Sequence, residues 1–386
     1  MVLRPWNGPT SGGIAVLGGG LSGLSLVAHL AAADARPGPI VLLDDGRNDI
    51  ARAAWASWTR RPGLLDPAAS ESFARIRVRA GGRDRELSLD EYRYRVVHGA
   101  HLLAEVRRHT DPVADVGSVT GHVTEIVESG SGPCVLLGDG RELRPHWVFD
   151  ARGPASSTAG ADAALDFLGF RVRSRSPVFD PHVPVLFDFR TEQTAASFLY
   201  VLPTDAQHAL VEHTCFTDAT GPAIEFAAHR DAVCTYLTDV LGLDGGSVDA
   251  EPAEGGRLPL TTHPPDRVQG RVVRVGAAAG LLEASSGYAY ERIQRDSEAI
   301  ARSFALHGHP CDLPKRAARF TRYNRALLRV IVEHPNFLEE MFAKLFARDS
   351  AAPVLRFLDE DSSVRDEATL FASLPAGPLI RAMAHR

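Results

Sequence analysis

A run of glycines between two apolar segments constrains this chain more than any other feature. Ile14-Ala15-Val16-Leu17 is a short apolar run, followed by Gly18-Gly19-Gly20-Leu21-Ser22-Gly23. Residues 24–33 then read as a helix that ends before Pro37, and Ile40-Val41-Leu42-Leu43 is a second apolar run closed by Asp44. The order strand, turn, helix, strand predicts a βαβ unit in a parallel sheet. In that context Gly18, Gly20 and Gly23 match a dinucleotide fingerprint. Gly18 makes the tight turn, Gly20 lets the backbone approach a pyrophosphate, and Gly23 lets the helix pack closely on the strand. The N–H groups of the first helical turn, around Leu21 and Ser22, are offered to the phosphates. Asp44, 26 residues after Gly18, stands where a carboxylate accepts from ribose hydroxyls, with Asp45 as the alternative. The turn alone is weak evidence, because glycine-rich turns also occur in sheets that bind nothing. The flanking strands and the acid give it weight.

Two later turns favour FAD over NAD. Val148-Phe149-Asp150-Ala151-Arg152-Gly153 is a strand ending in an acid and a glycine. It resembles the second flavin-associated turn of p-hydroxybenzoate hydroxylase-like flavoproteins. Val275-Gly276-Ala277-Ala278-Ala279-Gly280 follows another strand, with Ala277 where that superfamily often has aspartate. Asp150, Gly153, Gly276 and Gly280 are therefore candidate cofactor contacts. Each turn taken singly is equally well an ordinary strand end.

The bulk properties exclude several classes. The chain has 386 residues and a formal net charge of -6, so no basic footprint points to nucleic acid. Its four cysteines, Cys134, Cys215, Cys234 and Cys311, form no CxxC pair, which argues against a zinc site or a disulfide framework. The N-terminus lacks a signal-peptide pattern. Residues 14–33 are the longest apolar stretch, but they contain Gly18, Gly19, Gly20, Gly23 and His29, so a strand–turn–helix explains them better than a membrane span. A cytoplasmic protein that touches a membrane at most peripherally is expected.

The predicted fold class is α/β: a Rossmann-type FAD-binding domain interrupted by an antiparallel-sheet substrate domain, with a helical C-terminal region. Short strands around Gly81-Gly82, recurrent strand-like runs over residues 170–216, and a helical pattern from Tyr290 onward support this. Residues 1–66, 91–167 and 256–308 are assigned to the FAD-binding domain. Residues 67–90 and 168–255 are assigned to the substrate-facing sheet, and 309–386 to the C-terminal helices.

Several segments together resemble the lycopene β-cyclase family. Phe198-Leu199-Tyr200-Val201-Leu202-Pro203 is followed eight residues on by Val211-Glu212-His213-Thr214. Before it stand Val178-Phe179-Asp180-Pro181 and Asp188-Phe189-Arg190-Thr191-Glu192-Gln193. After it come Gly256-Arg257-Leu258-Pro259 and the segment from Ala279 to Gly287-Tyr288. Residues 336–342 and 355–360 extend the likeness, which runs from about residue 14 to about residue 380. His213, Phe187 and the Ser285-Ser286 pair depart from the family's usual residues.

The resemblance implies cyclisation of a linear isoprenoid polyene without net redox change. An acid protonates the terminal double bond, an internal double bond attacks the cation, and proton loss closes a β-ionone ring. Glu212 is carried over as that acid. Chemistry requires its carboxyl to stay protonated near neutral pH, which burial beside an apolar substrate achieves. It follows the apolar run Ala209-Leu210-Val211, so a strand end facing a pocket is expected, with His213 on the opposite face. A surface glutamate in a salt bridge is the plainer alternative. Gly287 and Tyr288 join the candidate cofactor contacts. Phe198, Tyr200, Tyr290, Trp55 and Trp58 are candidates for an aromatic substrate pocket that faces the cation, against ordinary core packing. Reduced FAD, with NAD(P)H as electron source, is the expected cofactor. A hydrophobic polyene and a membrane surface are the expected partners. Asp188, Arg190, Glu192 and Arg292 read first as structural ion pairs, with Asp188 or Glu192 as a possible secondary base. Phe337, Met341, Phe342 and Phe346 read as core, with membrane docking as the alternative. The competing readings are a cyclase of another polyene, a flavin monooxygenase on the same fold, and a non-catalytic carrier.

Overall fold

A computed structural model of the chain describes residues 2–35, 38–130, 132–153, 158, 160–191, 195–244, 246 and 248–374. The N-terminal βαβ unit is present. Ile14–Leu17 pairs in parallel with Ile40–Asp44 on one side and with Trp147–Asp150 on the other. Val116–Thr120 and Val272–Arg274 extend the parallel sheet outward, and the short Val268–Gln269 closes one edge antiparallel. Alternation along Ile14–Leu17 separates two cores. Ile14 and Val16 pack under helices Leu21–Ala32, Gly99–Thr110 and Tyr290–His307. Ala15 and Leu17 pack under a small antiparallel sheet, Val123–Ser129, Gly132–Leu137 and Glu142–Leu143. Burial on both faces is why these strands are continuously apolar.

A second sheet of seven strands runs, in spatial order, Val248–Leu260, Ala163–Ser174, His208–Thr217, Ala196–Pro203, Val185–Asp188, Arg75–Ala80 and Arg83–Ser88. One face packs against helix Phe226–Thr235 and the Tyr236–Val240 turn that follows it. The other faces the C-terminal helices Ala318–Glu333, Phe337–Leu345, Ala352–Leu358 and Val364–Ala372. This is a Rossmann-type domain interrupted by a largely antiparallel sheet, with helices at the C-terminus.

The sheets divide the chain differently from the sequence reading in two places. Residues 163–167 and 256–260 belong to the two longest strands of the seven-stranded sheet rather than to the FAD-binding domain. Ala54–Thr59 and Arg93–His98 pair with Ala69–Phe73 in a separate three-stranded sheet. Such pairings are non-local, so composition around the boundaries carried no sign of them.

Asp188 is fully buried, at 0% exposure. Its Oδ2 accepts from Arg79 at 3.1 Å, Arg190 at 2.8 Å and the Tyr236 hydroxyl at 2.8 Å. Burial pushes its carboxyl up, but the bonds from Arg190, Tyr236 and Arg79 hold it below the ordinary carboxylate range. It ties the seven-stranded sheet to the turn after helix Phe226–Thr235 and does not line the cavity described below. That corrects its candidacy as a secondary base. Glu192 lies outside the described residues. Arg292 is likewise structural, paired with Glu283 and with Glu360 at 2.8 Å. Asp188→Asn is expected to lower stability by about 1–3 kcal/mol, because it weakens three bonds to a buried carboxylate, while Arg79 keeps Asp84 and Arg190 is partly exposed to water. A urea unfolding midpoint measures it.

Candidate active site

Three turns meet at the carboxyl ends of adjacent parallel strands, the usual place for a ligand in an open α/β sheet. The first is the glycine turn. Gly18 has φ +102, and a Cβ on Gly23 would lie 1.9 Å from the Gly18 carbonyl oxygen. A Cβ on Gly20 would meet nothing within 4 Å, so the approach to the backbone is open there. Helix Leu21–Ala32 starts at Gly20 without any side-chain cap, leaving its first N–H groups to an external acceptor. Its start is three residues earlier than expected. Asp44 braces this turn: its Oδ2 accepts from Gly19 N at 2.7 Å and its Oδ1 from Gly46 N at 2.8 Å.

The second turn follows Trp147–Asp150. The Asp150 carboxylate accepts from Arg152 Nε at 2.8 Å and Nη2 at 2.9 Å, so it is held by its neighbour. Gly153 has no heavy atom near its missing Cβ. The third turn, Gly276–Ala279, ends at Gly280, and a Cβ on Gly276 would lie 2.0 Å from Ser22 Oγ. The first and third turns therefore touch.

A cavity of about 510 Å³ opens from this junction, with Leu21, Ser22 and Ala277 at one end. Its floor is one face of the seven-stranded sheet. Strand register explains which residues reach it. Glu254, Gly169, Glu212 and Tyr200 lie side by side on four adjacent strands. The next row on the same face is Gly256, Phe167, Thr214 and Phe198, and beyond it Leu258, Leu165, Phe216 and Ala196. Leu327, Ile331, Met341, Phe342 and Phe346 of the C-terminal segment roof it. The roof includes three of the residues weighed for membrane docking, while Phe337 is buried in the core. Phe187 lines the wall, with ring centroids 5.0 Å from Phe198 and 4.3 Å from Phe342.

Glu212 sits in the middle of His208–Thr217, not at a strand end. Its carboxyl lines the cavity and accepts from the Thr214 hydroxyl at 2.7 Å. Among the described residues no cation balances it. Desolvation pushes its pKa up to about 8, opposed by the Thr214 bond and helped by Glu254. His213 points to the other face, where it meets His229 at 3.0 Å; burial and His229 push it down to about 4. The alternation of a strand separates the two neighbours.

Beside Glu212 stands a chain of phenols. The Tyr94 hydroxyl lies 3.0 Å from that of Tyr200 and 2.9 Å from that of Tyr288. Burial pushes all three above their ordinary range, which keeps them neutral. Tyr290 and Trp55 also line the cavity, but Trp58 does not. Trp58 packs 4.3 Å from the Tyr288 ring and donates to Asp359 at 3.1 Å, so it supports the wall from behind. Ala54 and Ala56, which lie at alternate positions to it on the same strand, do line the cavity, so alternation alone could not exclude Trp58. Tyr94→Phe is expected to cost about 1–3 kcal/mol by leaving two buried hydroxyls short of a partner. A denaturant midpoint of the variant checks this.

Two buried hydroxyls in the cavity wall, Ser286 Oγ and Tyr290 Oη, have no hydrogen-bond partner among the described residues. Unpaired buried hydroxyls are costly, and a polar ligand at this end removes the cost. With the open backbone at Gly20 and the uncapped helix, the residues fit a phosphate-bearing group such as FAD. Among the described residues no group of three or more potential ligands fits a metal, and all four cysteines are free.

Residues 13–384 match the lycopene cyclase protein family. The chain belongs to that family. An uncharacterized carotenoid cyclase of Deinococcus radiodurans is 26% identical over 309 residues, which are 77% of this chain and 71% of that protein. Among solved structures, a geranylgeranyl bacteriochlorophyll reductase-like protein from Thermoplasma acidophilum superposes with TM-score 0.60 at 12% identity, covering 96% of this chain and 98% of that one. The flavin-dependent brominase Bmp2 does so with TM-score 0.60 at 14% identity, covering 91% and 94%. At these identities the structures show a shared fold.

Sequence reasoning missed Glu254, Tyr94, Thr214 and Gly169 as parts of the site. Glu254 stands two residues before the Gly256-Arg257-Leu258-Pro259 segment that carried part of the resemblance. Extending that segment backwards was the available signal. Tyr94 sits in an alternating strand, 93–98, with no motif to mark it.

Proposed function

We propose that the protein is an FAD-dependent carotenoid cyclase that closes the linear end of a lycopene-type polyene into a β-ionone ring without net redox change. The observation that carries this reading is Glu212: an uncompensated carboxyl, pushed up to about 8, facing an apolar cavity that the glycine turn also lines. At neutral pH such a group is an acid.

FAD would be held by the 18–23 turn, the first N–H groups at Leu21 and Ser22, the Asp44 end of the second strand, and the turns at Asp150–Gly153, Gly276–Gly280 and Gly287–Tyr288. Bound in its reduced anionic form, it supplies negative charge near the ring being formed, with NAD(P)H as the source of reduction. The chain's own residues do the rest. Glu212 donates its proton to the terminal alkene carbon. Phe167, Phe198 and Phe216 present ring faces and exclude water, so the cation is met by π density rather than hydroxide. Thr214 fixes the orientation of the Glu212 carboxyl. The roof of Leu327, Ile331, Met341 and Phe342 holds the polyene against the sheet.

Such a substrate dissolves in membrane, so a transient contact of the cavity mouth with a membrane surface belongs to the same proposal. No helix among the described residues is long and apolar enough to cross one.

Co-expression in lycopene-accumulating cells, with pigment analysis, tests the reading. Ringed carotenoids replacing lycopene are expected. Unchanged lycopene, with NADPH consumed in an oxygen-dependent reaction, favours a monooxygenase and overturns it. With purified protein, many rings per NADPH oxidised are expected; one equivalent per ring defeats the redox-neutral scheme.

A further inference from the structure

We infer that a second carboxylate, Glu254, is the base that ends the ring closure. The inference rests on the cyclase reading and assigns the step which that reading leaves open.

The argument starts from the sheet. Glu254 and Glu212 stand on the two neighbours of Ala163–Ser174, both opposite Gly169. Residues aligned across a sheet share a face, so both side chains rise on the cavity side, with backbones roughly 10 Å apart. What lies between them is decided by Gly169. A Cβ there would be 3.3 Å from Glu254 Cγ and 3.6 Å from Glu212 Oε2. Both carboxyl chains therefore lean over the same glycine, and the missing side chain leaves the gap between them open to the cavity that both line.

The two groups are not equivalent. Among the described residues Glu212 has a neutral partner, Thr214, and no cation. Burial pushes the Glu254 carboxyl up as well, but Arg171 and His98 oppose it, its charge helps to push Glu212 up, and among the described residues no donor bonds it. Of two carboxyls competing for one proton, the one without a cation keeps it. The pair is thus divided into an acid and an ionised base, each with its own environment.

Ring closure needs that division. The alkene carbon that gains a proton and the ring carbon that loses one flank the same third carbon. Two groups one strand apart address both positions without either side chain turning. Glu212 gives its proton to the alkene carbon, and the internal double bond forms the new C–C bond. The C–H bond of the ring carbon then breaks, its electron pair becomes the ring double bond, and the proton goes to Glu254. The substrate is isomerised with no atom gained or lost. The proton returns from Glu254 to Glu212 across the Gly169 gap, directly or through one water, and the site is reset.

The test uses the full chain with reduced FAD and lycopene in phosphatidylcholine vesicles, with products separated by chromatography. Glu254→Gln is expected to slow ring closure at least tenfold and to shift products from β rings toward rings with the double bond displaced, or toward water-trapped alcohols, because the cation still forms. Glu254→Asp, which keeps the charge, restores β rings in part. Gly169→Ala, which fills the gap, slows turnover with ring type kept. Flavin absorbance and circular dichroism show whether each variant is folded; if Glu254→Gln is not, Glu254→Asp and Gly169→Ala carry the test. Wild-type rate and pure β rings from Glu254→Gln overturn the inference. So does a uniform slowing with ring type unchanged, which makes Glu254 a positioning residue. Wild-type protein that leaves lycopene linear overturns the cyclase reading itself, a result distinct from either.

Discussion

Glu212→Gln is expected to stop ring formation, with turnover falling at least about 10³-fold, while the variant keeps its fold and its flavin. The amide has nearly the shape of the acid and bonds Thr214 equally well, so what is lost is the proton. The same group predicts how the wild type responds to pH. Cyclisation should fall as pH rises through about 8, where the Glu212 carboxyl ionises. Stability should respond too. In the unfolded chain the group titrates near its ordinary 4.5. Between 4.5 and about 8 the folded state holds a proton that the unfolded state has released, so stability declines with rising pH across that window and levels off above it. The Gln variant lacks this decline. At pH 9 it should exceed the wild type by on the order of 4 kcal/mol, and below pH 4 the two should converge. Urea midpoints at the two ends measure the difference. A Gln variant with full activity, or one showing the same pH decline as the wild type, would show that Glu212 neither donates the proton nor titrates in a dry cavity.

The second large effect separates binding from folding at the glycine turn. Gly20 has φ -79 and ψ -172, ordinary extended backbone, and open space where a side chain would stand. Gly20→Val should fold normally. Its branched side chain occupies the approach to the backbone, and flavin affinity should fall by roughly 100-fold, a clash of about 3 kcal/mol. Gly23 is different. Its Cβ would lie 1.9 Å from the Gly18 carbonyl, so even alanine must push the helix off the strand. Gly23→Ala should lose flavin and thermal stability together. Absorbance after desalting reads the first quantity and a melting curve the second. If Gly20→Val retains flavin, the turn does not carry the pyrophosphate and the cofactor assignment at this end of the cavity fails.

What the sequence disclosed follows from how local each signal is. The βαβ unit was legible because strand, turn and helix are contiguous and each glycine has a local reason. The hairpin around Gly81-Gly82 was legible for the same reason, and both glycines adopt positive φ. His213 was read correctly onto the far face because alternation needs only neighbours. The site was harder. Glu254 and Glu212 are brought together through a third strand, and their common partner is a glycine with no motif of its own. Tyr94 reaches Tyr200 and Tyr288 from a different sheet altogether. Trp55 and Trp58 are of one type and nearly adjacent, yet only Trp55 meets the cavity. Composition names candidates, and register and sheet packing choose among them.

The parallel sheet is assembled from strands scattered between Ile14 and Arg274, and the cavity roof comes from still later residues. During synthesis the glycine turn leaves the ribosome first, but the last parallel strand of its sheet, Val272–Arg274, emerges only after the whole seven-stranded layer has been made. Pairings over such distances form slowly. The chain therefore has no early half that matures alone, and on the cyclase reading flavin would be acquired after translation is nearly finished. Until the roof helices emerge the apolar lining has no cover, so the last-made segment of the chain is also the one that shields it from aggregation in a producing cell.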